Sequence, residues 1–263
     1  MTNVNKTCYI TLYGKSYVSK KGIIINDPKA EEIWAKEGFE LKGKSKSKWL
    51  AYYMAMRSRV FDNWVTEKLS ENKNAVVLHI GCGMDSRIER IGAKENQWYD
   101  IDFDSVITER KKYYKENNNY HMMVGDASNP EWIKALPENA DVIVILEGIS
   151  MYLKINEIEN LLQTINNHFN NVNLLMDCYT KLSAKMSKYK NPINDVGVTT
   201  VYGIDEPEAL EKNTGLSFIK EHNITPAEMI HQLKSSEKSI FKAVFGGKFS
   251  KKMYRLYEYK NTI

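Results

Sequence analysis

The stretch "HIGCGMDSR" (His79 to Arg87) sets two glycines one residue apart, directly after a short apolar run. Lacking Cβ atoms, Gly81 and Gly83 let the backbone turn sharply and let a ligand approach closely. Three carboxylates come later in comparable places: Asp102 closing "WYDID", Asp126 in "VGDAS" and Glu147 in "VILEGISMYL". Asp102 lies 21 residues after Gly81, a separation at which an acidic side chain accepts hydrogen bonds from both ribose hydroxyls of a nucleoside. Asp100 and Asp104 share its parity, so spacing alone leaves three candidates, and the two not used are expected on a solvated acidic edge. Asp126 could accept from the amino group of an adenine. Glu147 leaves the unbroken run "VIVIL", where a lone carboxylate is costly, so it is expected to meet a cation or a donor.

The residues just after the glycine turn narrow the choice of ligand. A dinucleotide site calls for a third glycine at position 86 and an open helix start to hold the pyrophosphate. This chain has Ser86 there, Asp85 adds negative charge, and Ser86 with Glu89 has the spacing of a capping box that would satisfy the helix's own amides. A phosphate-bearing cofactor is disfavoured, and a phosphate-free adenosine such as S-adenosylmethionine fits.

These residues need a scaffold that brings strand ends together. Apolar runs predict strands near Val76–Ile80, Gln97–Ile101, Tyr120–Val124, Asp141–Leu146 and Val172–Asp177. Helical patterns at Ser86–Ile91, Ser105–Glu116 and Asn156–His168, and after Thr180, alternate with them. Such alternation predicts an α/β fold with a doubly wound, mostly parallel sheet, whose ligands sit at the carboxyl ends of the strands. Ser217–Ile224 and Met253–Lys260 read as two further strands, seven in all, joined by a helix beginning after Thr225-Pro226. The alternation of the last suits a less buried, antiparallel edge position. "NPIND" (Asn191 to Asp195) and "GIDEPEAL" (Gly203 to Leu210) read as turn and helix-start signals. Before the sheet, "DPKAEEIWAKEG" (Asp27 to Gly38) is bracketed as a helix, and Lys48 to Leu69 carries a longer helical pattern. Residues 1–70 are therefore expected to form a helical cap within the same domain as the core, residues 71–263.

Composition sets the outer bounds. With 263 residues, 43% hydrophobic and 27% charged, the chain is an ordinary globular one. No apolar run approaches the length of a membrane span. Cys8, Cys82 and Cys178 are odd in number and widely spaced, which argues against a disulfide framework or a zinc site and suits a reducing cytoplasm. The net charge of +4 divides as +7 over residues 1–60 and −3 over the rest. "KGKSKSK" (Lys42 to Lys48) reads as a solvated loop rather than a phosphate patch, because no aromatic residues interleave with its lysines. Neither nucleic acid, a membrane nor a metal is expected as a partner.

In this order, "IGCGMDSR", "YDIDFDSVI", "GDA" and "LEGISMYL" resemble the leucine carboxyl methyltransferase family, and within it the bacterial tetracenomycin-type polyketide O-methyltransferases. Upstream, "AMRSRVFDNWV" is similar to the family's arginine-bearing helix, and "LYGKSYVSKKGIIINDPKA" to its basic residue followed, here at looser spacing, by Asp-Pro. The resemblance runs from about Leu12 to Tyr152, more loosely beyond. It implies a Rossmann-like methyltransferase using S-adenosylmethionine and releasing S-adenosylhomocysteine. It assigns Gly81, with Gly83, to the donor-cradling turn, Asp102 to the ribose, Asp126 and Ala127 to the adenine side, and Glu147 to the methionine end. It also assigns Arg57, and with it Lys15, to the donor's carboxylate, a task suited to a planar fork of donors.

Because a sulfonium donor is already activated, the reaction is an in-line displacement, in which orientation and exclusion of water matter most. No residue is designated as a general base. His79 is expected to be a satisfied core histidine; His121, His222 and His231 have no motif around them, and Cys82 and Cys178 suit small-residue packing. Acceptor contacts are expected from Met151, Tyr152 and the segment Tyr179 to Tyr202, whose tyrosines and methionines suit a flat, apolar small molecule. Three other readings remain open: methylation of a protein C-terminal carboxylate, a non-catalytic donor-binding module, and an NAD-dependent oxidoreductase.

Overall fold

A computed structural model describes residues 7–37, 41, 43–187, 200–247 and 252–261. "NPIND" and Gly38 lie outside the described residues. Three helices come first: α1 (Cys8–Ser19), α2 (Pro28–Glu37) and α3 (Lys48–Glu71). Then come β1 (Val76–Ile80), α4 (Arg87–Ile91), β2 (Trp98–Asp102), α5 (Asp104–Arg110), β3 (Tyr120–Val124), β4 (Asp141–Leu146), α6 (Ile155–His168), β5 (Asn171–Tyr179) and α7 (Lys181–Ser187). The chain ends with α8 (Glu211–Thr214), β6 (Leu216–Glu221), α9 (Ala227–Ile230), α10 (Ser235–Phe245) and β7 (Tyr254–Asn261).

The seven strands form one sheet in the order β3-β2-β1-β4-β5-β7-β6. Pairing is parallel from β3 through β5 and antiparallel on both sides of β7. β7 was expected at an edge and is instead interior, between β5 and β6, with Leu256, Tyr257 and Tyr259 almost fully buried. The edge belongs to β6, whose last three residues are exposed. The alternation in β7 reflects two unlike faces: Tyr254 and Leu256 face the helical cap, and Tyr257 and Tyr259 the opposite core. The single helix expected after Pro226 is two, α9 and α10.

Strand parity decides which residues meet the cap. Val142, Val144 and Leu146 of β4 join the cluster packed with α6, whereas Ile143 and Ile145 join the cluster shared with α1, α2 and α3. By the same period of two, His79, Asp100, Asp102, Glu147, Asp177 and Tyr254 fall on the cap side. α1 is the element that sequence patterning does not foresee. Its β-branched residues and Gly14 obscure a helical period, yet Gly14 is useful: a Cβ there would stand 3.4 Å from the Ala51 backbone of α3, so the two helices pack closely. α2 matches its expectation, with Asp27 Oδ1 accepting from the Ala30 amide at 2.9 Å.

Candidate functional site

Strand order reverses between β1 and β4, and the crevice at such a switch point is where open parallel sheets bind ligands. A cavity of about 1580 Å³ opens there. All twelve residues singled out from the sequence line it: Lys15, Arg57, Gly81, Gly83, Asp102, Asp126, Ala127, Glu147, Met151, Tyr152, Tyr179 and Tyr202. Its volume exceeds the roughly 300–1,000 Å³ of ordinary small-molecule pockets, leaving room for two ligands.

The glycine turn forms the floor. Gly81 and Gly83 have φ of +71° and +52°, a region that side-chain-bearing residues avoid. A Cβ on Gly81 would also collide with Ile149, and one on Gly83 would stand 2.9 Å from Cys8 of α1. Of the three acidic candidates on β2, Asp102 takes the place beside the turn. Its Oδ2 accepts from the Gly83 amide and its Oδ1 from the Phe103 amide, both at 2.8 Å. Burial pushes its carboxyl above the usual range against the pull of those amides. Beyond it, Asp126 is exposed, and its Oδ1 accepts from the Ser128 amide and hydroxyl at 2.8 Å, which fixes the turn after β3.

Asp100 was expected in solvent and is not. It is fully buried beneath the turn, where its oxygens accept from Trp98 Nε1 at 2.9 Å, Tyr120 Oη at 2.6 Å and Arg110. His79 Nδ1 lies 3.1 Å away. Depth, not parity, makes the difference: Asp100 faces the cap one pleat deeper than Asp102, among Arg110, Tyr120 and Trp98. Asp104 is exposed, as expected of an unused candidate.

The helix start differs too. The capping box does not form: Ser86 makes no side-chain cap and instead donates to Asp27 Oδ1 at 2.6 Å, drawn across the interface with α2. α4 is only five residues long. Asp85 is neutralised by Lys15 and Arg90, each at 2.9 Å, and by Arg87 at 3.3 Å. With Asp85, Ser86 and Arg87 buried and α1 pressed against Gly83, no open helix start is left for a pyrophosphate.

Just after β4, Glu147 meets two arginines: Arg57 Nε at 3.1 Å and the Nη2 of Arg87. Burial opposes its charge, but Arg87 and Arg57 prevail and hold its carboxyl down to about 2. Arg57 also donates through Nη1 to Tyr254 Oη at 2.7 Å and lies 3.0 Å from Asp177 Oδ2. Asp177, not among the residues that the sequence singles out, accepts in addition from the Gly148 amide at 2.7 Å and Tyr254 Oη at 2.8 Å. It closes an apolar run as Glu147 does, a signal that could have found it. Tyr254 carries no such signal, being 197 residues from Arg57.

Two buried carboxylates bound below their ordinary range tie stability to pH. Asp100 is held down to about 2, where Arg110 and His79 outweigh burial, from a reference of 3.8; Glu147 falls to about 2 from 4.5. Their contribution is complete above pH 4.5 and is lost as pH falls towards 2, on the order of 2–3 kcal/mol each. Asp177 runs the other way: burial lifts it to about 6, so its contribution declines from about pH 4 to 6. Urea midpoints are expected to drop steeply between pH 4.5 and 2.5; a level midpoint across that range would contradict the buried pairing.

His79 is a satisfied core histidine, between Asp100 and Arg87 Nη1 at 3.2 Å. His121 stacks on Tyr99, and His222 lies 2.6 Å from Glu258. Burial pushes the thiols of Cys82 and Cys178 well above their ordinary range, so neither is a nucleophile. Among the described residues no three of His, Cys, Asp and Glu gather as metal ligands, and no helix is long and apolar enough to cross a membrane. Most of the cavity wall is apolar. Besides the expected Met151, Tyr152, Tyr179 and Tyr202, it includes Trp49 and Leu50 of α3 and Ile240, Val244 and Phe245 of α10, which sequence patterning did not foresee. Residues 188–199 of the expected acceptor segment lie outside the described residues.

A sequence profile described as leucine carboxyl methyltransferase matches residues 12–166, more than half of the chain. The chain belongs to the leucine carboxyl methyltransferase family. It is accordingly an S-adenosylmethionine-dependent methyltransferase. It is 25% identical over 241 residues to the tetracenomycin polyketide synthesis O-methyltransferase TcmP of Streptomyces glaucescens, across 90% of this chain and 89% of that one. It is 26% identical over 242 residues to the S-adenosyl-L-methionine-dependent methyltransferase dpfgK of Gibberella zeae, across 83% and 81%. In fold this methyltransferase is like the magnesium protoporphyrin IX methyltransferase ChlM of Synechocystis PCC 6803, with a TM-score of 0.53 and 13% identity over 94% of this chain and 98% of that one.

Proposed function

We propose that this methyltransferase moves a methyl group from S-adenosylmethionine to an oxygen of a small, largely apolar molecule. One observation carries the reading: a single cavity is lined both by charged groups, Asp102 and Arg57 among them, and by apolar and aromatic ones, Trp49, Tyr152, Tyr179 and Ile240. The residues fit the donor. Gly81 and Gly83 leave a cradle that a Cβ would fill, and Asp102 offers acceptors suited to ribose hydroxyls. The exposed Asp126, with Ala127, suits the adenine side. Arg57 Nη2, which has no hydrogen-bond partner among the described residues, suits the donor's carboxylate, with Lys15 nearby in the wall.

The bound donor supplies an activated methyl group. The chain's own task is then to orient an acceptor oxygen against it and to exclude water. His79 is the one histidine in the cavity wall among the described residues, and both of its nitrogens are engaged. The Tyr152 phenol is pushed far up by burial. We therefore infer an acceptor that ionises without a side-chain base, a carboxylic acid or an acidic phenol. The cap, residues 1–70, is proposed to belong to the same catalytic domain as residues 71–263, because α1 and α3 supply wall residues. A cytoplasmic location fits the three unpaired cysteines.

Incubation with labelled S-adenosylmethionine and a panel of phenols and aromatic acids tests the reading, with transfer to at least one class expected. Transfer only to a peptide C-terminus, or tight donor binding with no transfer to any acceptor, would overturn it. For the donor site, Asp102→Ala is expected to weaken S-adenosylhomocysteine binding roughly 10- to 100-fold, the worth of hydrogen bonds to a charged acceptor. Unchanged affinity by calorimetry would remove Asp102 from the site.

A further inference from the structure

Arg57 enters the donor site already committed on most of its guanidinium. Its Nε donates to Glu147 Oε1 at 3.1 Å, and its Nη1 donates to Tyr254 Oη at 2.7 Å and lies 3.0 Å from Asp177 Oδ2. Tyr254 Oη in turn donates to Asp177 Oδ2 at 2.8 Å, so Arg57, Tyr254 and Asp177 close a triangle of polar contacts. The remaining edge, Nη2, passes Gly148, where a Cβ would lie 3.3 Å from it and where φ is +76°. A side chain at 148 would crowd that edge.

We propose that Tyr254 of β7, acting with Asp177, is a positioning residue that fixes the Arg57 guanidinium so that Nη2 alone is presented to the donor's carboxylate. Tyr254 suits the task because it both accepts from Arg57 and donates to Asp177. It is clamped by ring contacts with Tyr53 at 6.2 Å and Tyr179 at 5.1 Å between centroids. Burial keeps its phenol protonated. An arginine has five N–H donors in a rigid plane, so locking Nε and Nη1 determines where Nη2 points. Tyr254 lies beyond the residues matched by the family profile, so the positioning contact comes from this chain's own C-terminal strand.

The inference rests on the proposed donor reading, and two probes separate them. S-adenosylhomocysteine carries the carboxylate, whereas 5′-methylthioadenosine keeps the adenosine and sulfur without it. Tyr254→Phe is expected to weaken S-adenosylhomocysteine about tenfold and leave 5′-methylthioadenosine within twofold, by calorimetry on protein whose melting confirms the fold. Equal loss for both probes, or no loss for either, would overturn the positioning role. Arg57→Ala, or Arg57→Lys should alanine not fold, separates the layers. If that variant weakens S-adenosylhomocysteine and Tyr254→Phe does not, positioning alone fails; if it leaves S-adenosylhomocysteine unchanged, the donor assignment of Arg57 fails and the inference with it.

Discussion

Arg57→Ala is expected to reduce donor affinity at least 100-fold and to destabilise the fold by about 3–5 kcal/mol. The two effects have different origins. Loss of affinity would come from removing the proposed charge-assisted hydrogen bond to the donor's carboxylate. Loss of stability comes from the groups left behind: Glu147 and Asp177 are 6% and 0% exposed, and both count Arg57 among their partners. Removing one member of a buried pair leaves an uncompensated charge, which costs far more than the pair itself contributes. Denaturant midpoints and donor titration on the folded protein separate the two. An alanine variant with wild-type stability would mean that water reaches Glu147 and Asp177 and that the pocket floor is open.

Arg87→Ala is expected to damage folding at least as much, by about 3–5 kcal/mol and with poor soluble yield, although Arg87 is not part of the cavity wall. Arg87 is completely buried and touches five groups at once. Its Nε donates to Asp62 Oδ1 at 2.8 Å, and its other nitrogens reach Ser58 Oγ at 3.1 Å, His79 Nε2 at 3.2 Å, Asp85 at 3.3 Å and Glu147. Those partners come from α3, β1, the turn before α4 and the end of β4, so one side chain ties the cap to the sheet. Lysine is not expected to rescue, since a point charge cannot serve partners spread around a plane. A loss below about 1 kcal/mol in urea unfolding would show that the cap is held by apolar packing alone.

The residues proposed to hold the donor were legible in the sequence because they sit at strand ends, and strand ends are marked by the stop of an apolar run. Gly81, Asp102, Asp126 and Glu147 all come just after such a stop. Asp177 does as well, but it stands two residues before Tyr179, where the segment expected to meet the acceptor begins, which hides its tie to Arg57. The local use of the residues was harder to read. Ser86 and Glu89 have the right spacing for a capping box, but Asp27, 59 residues earlier, takes the Ser86 hydroxyl. Asp100 and Asp102 share a face, and nothing in their spacing says that Arg110 and Tyr120 wait beneath one and not the other. α1 was hidden because its glycine and β-branched residues serve packing against α3 rather than helix propensity. The acceptor wall was least legible: apolar residues on α3 and α10 have the composition of any core, and only the assembled sheet shows that they line a cavity.

The interior placement of β7 also sets an order on biosynthesis. The chain leaves the ribosome from its N-terminus, so the glycine turn, Asp102, Glu147 and Arg57 all emerge long before Tyr254 does. Until the final strand slides between β5 and β6, Arg57 has no phenol beside it and Asp177 lacks one of its donors. A nascent chain arrested before β7 would therefore present the glycine turn and Asp102 while Arg57 and Asp177 still lacked the Tyr254 hydroxyl. Of the seven strands of the sheet, the one made last completes the polar contacts of Arg57 on the third helix.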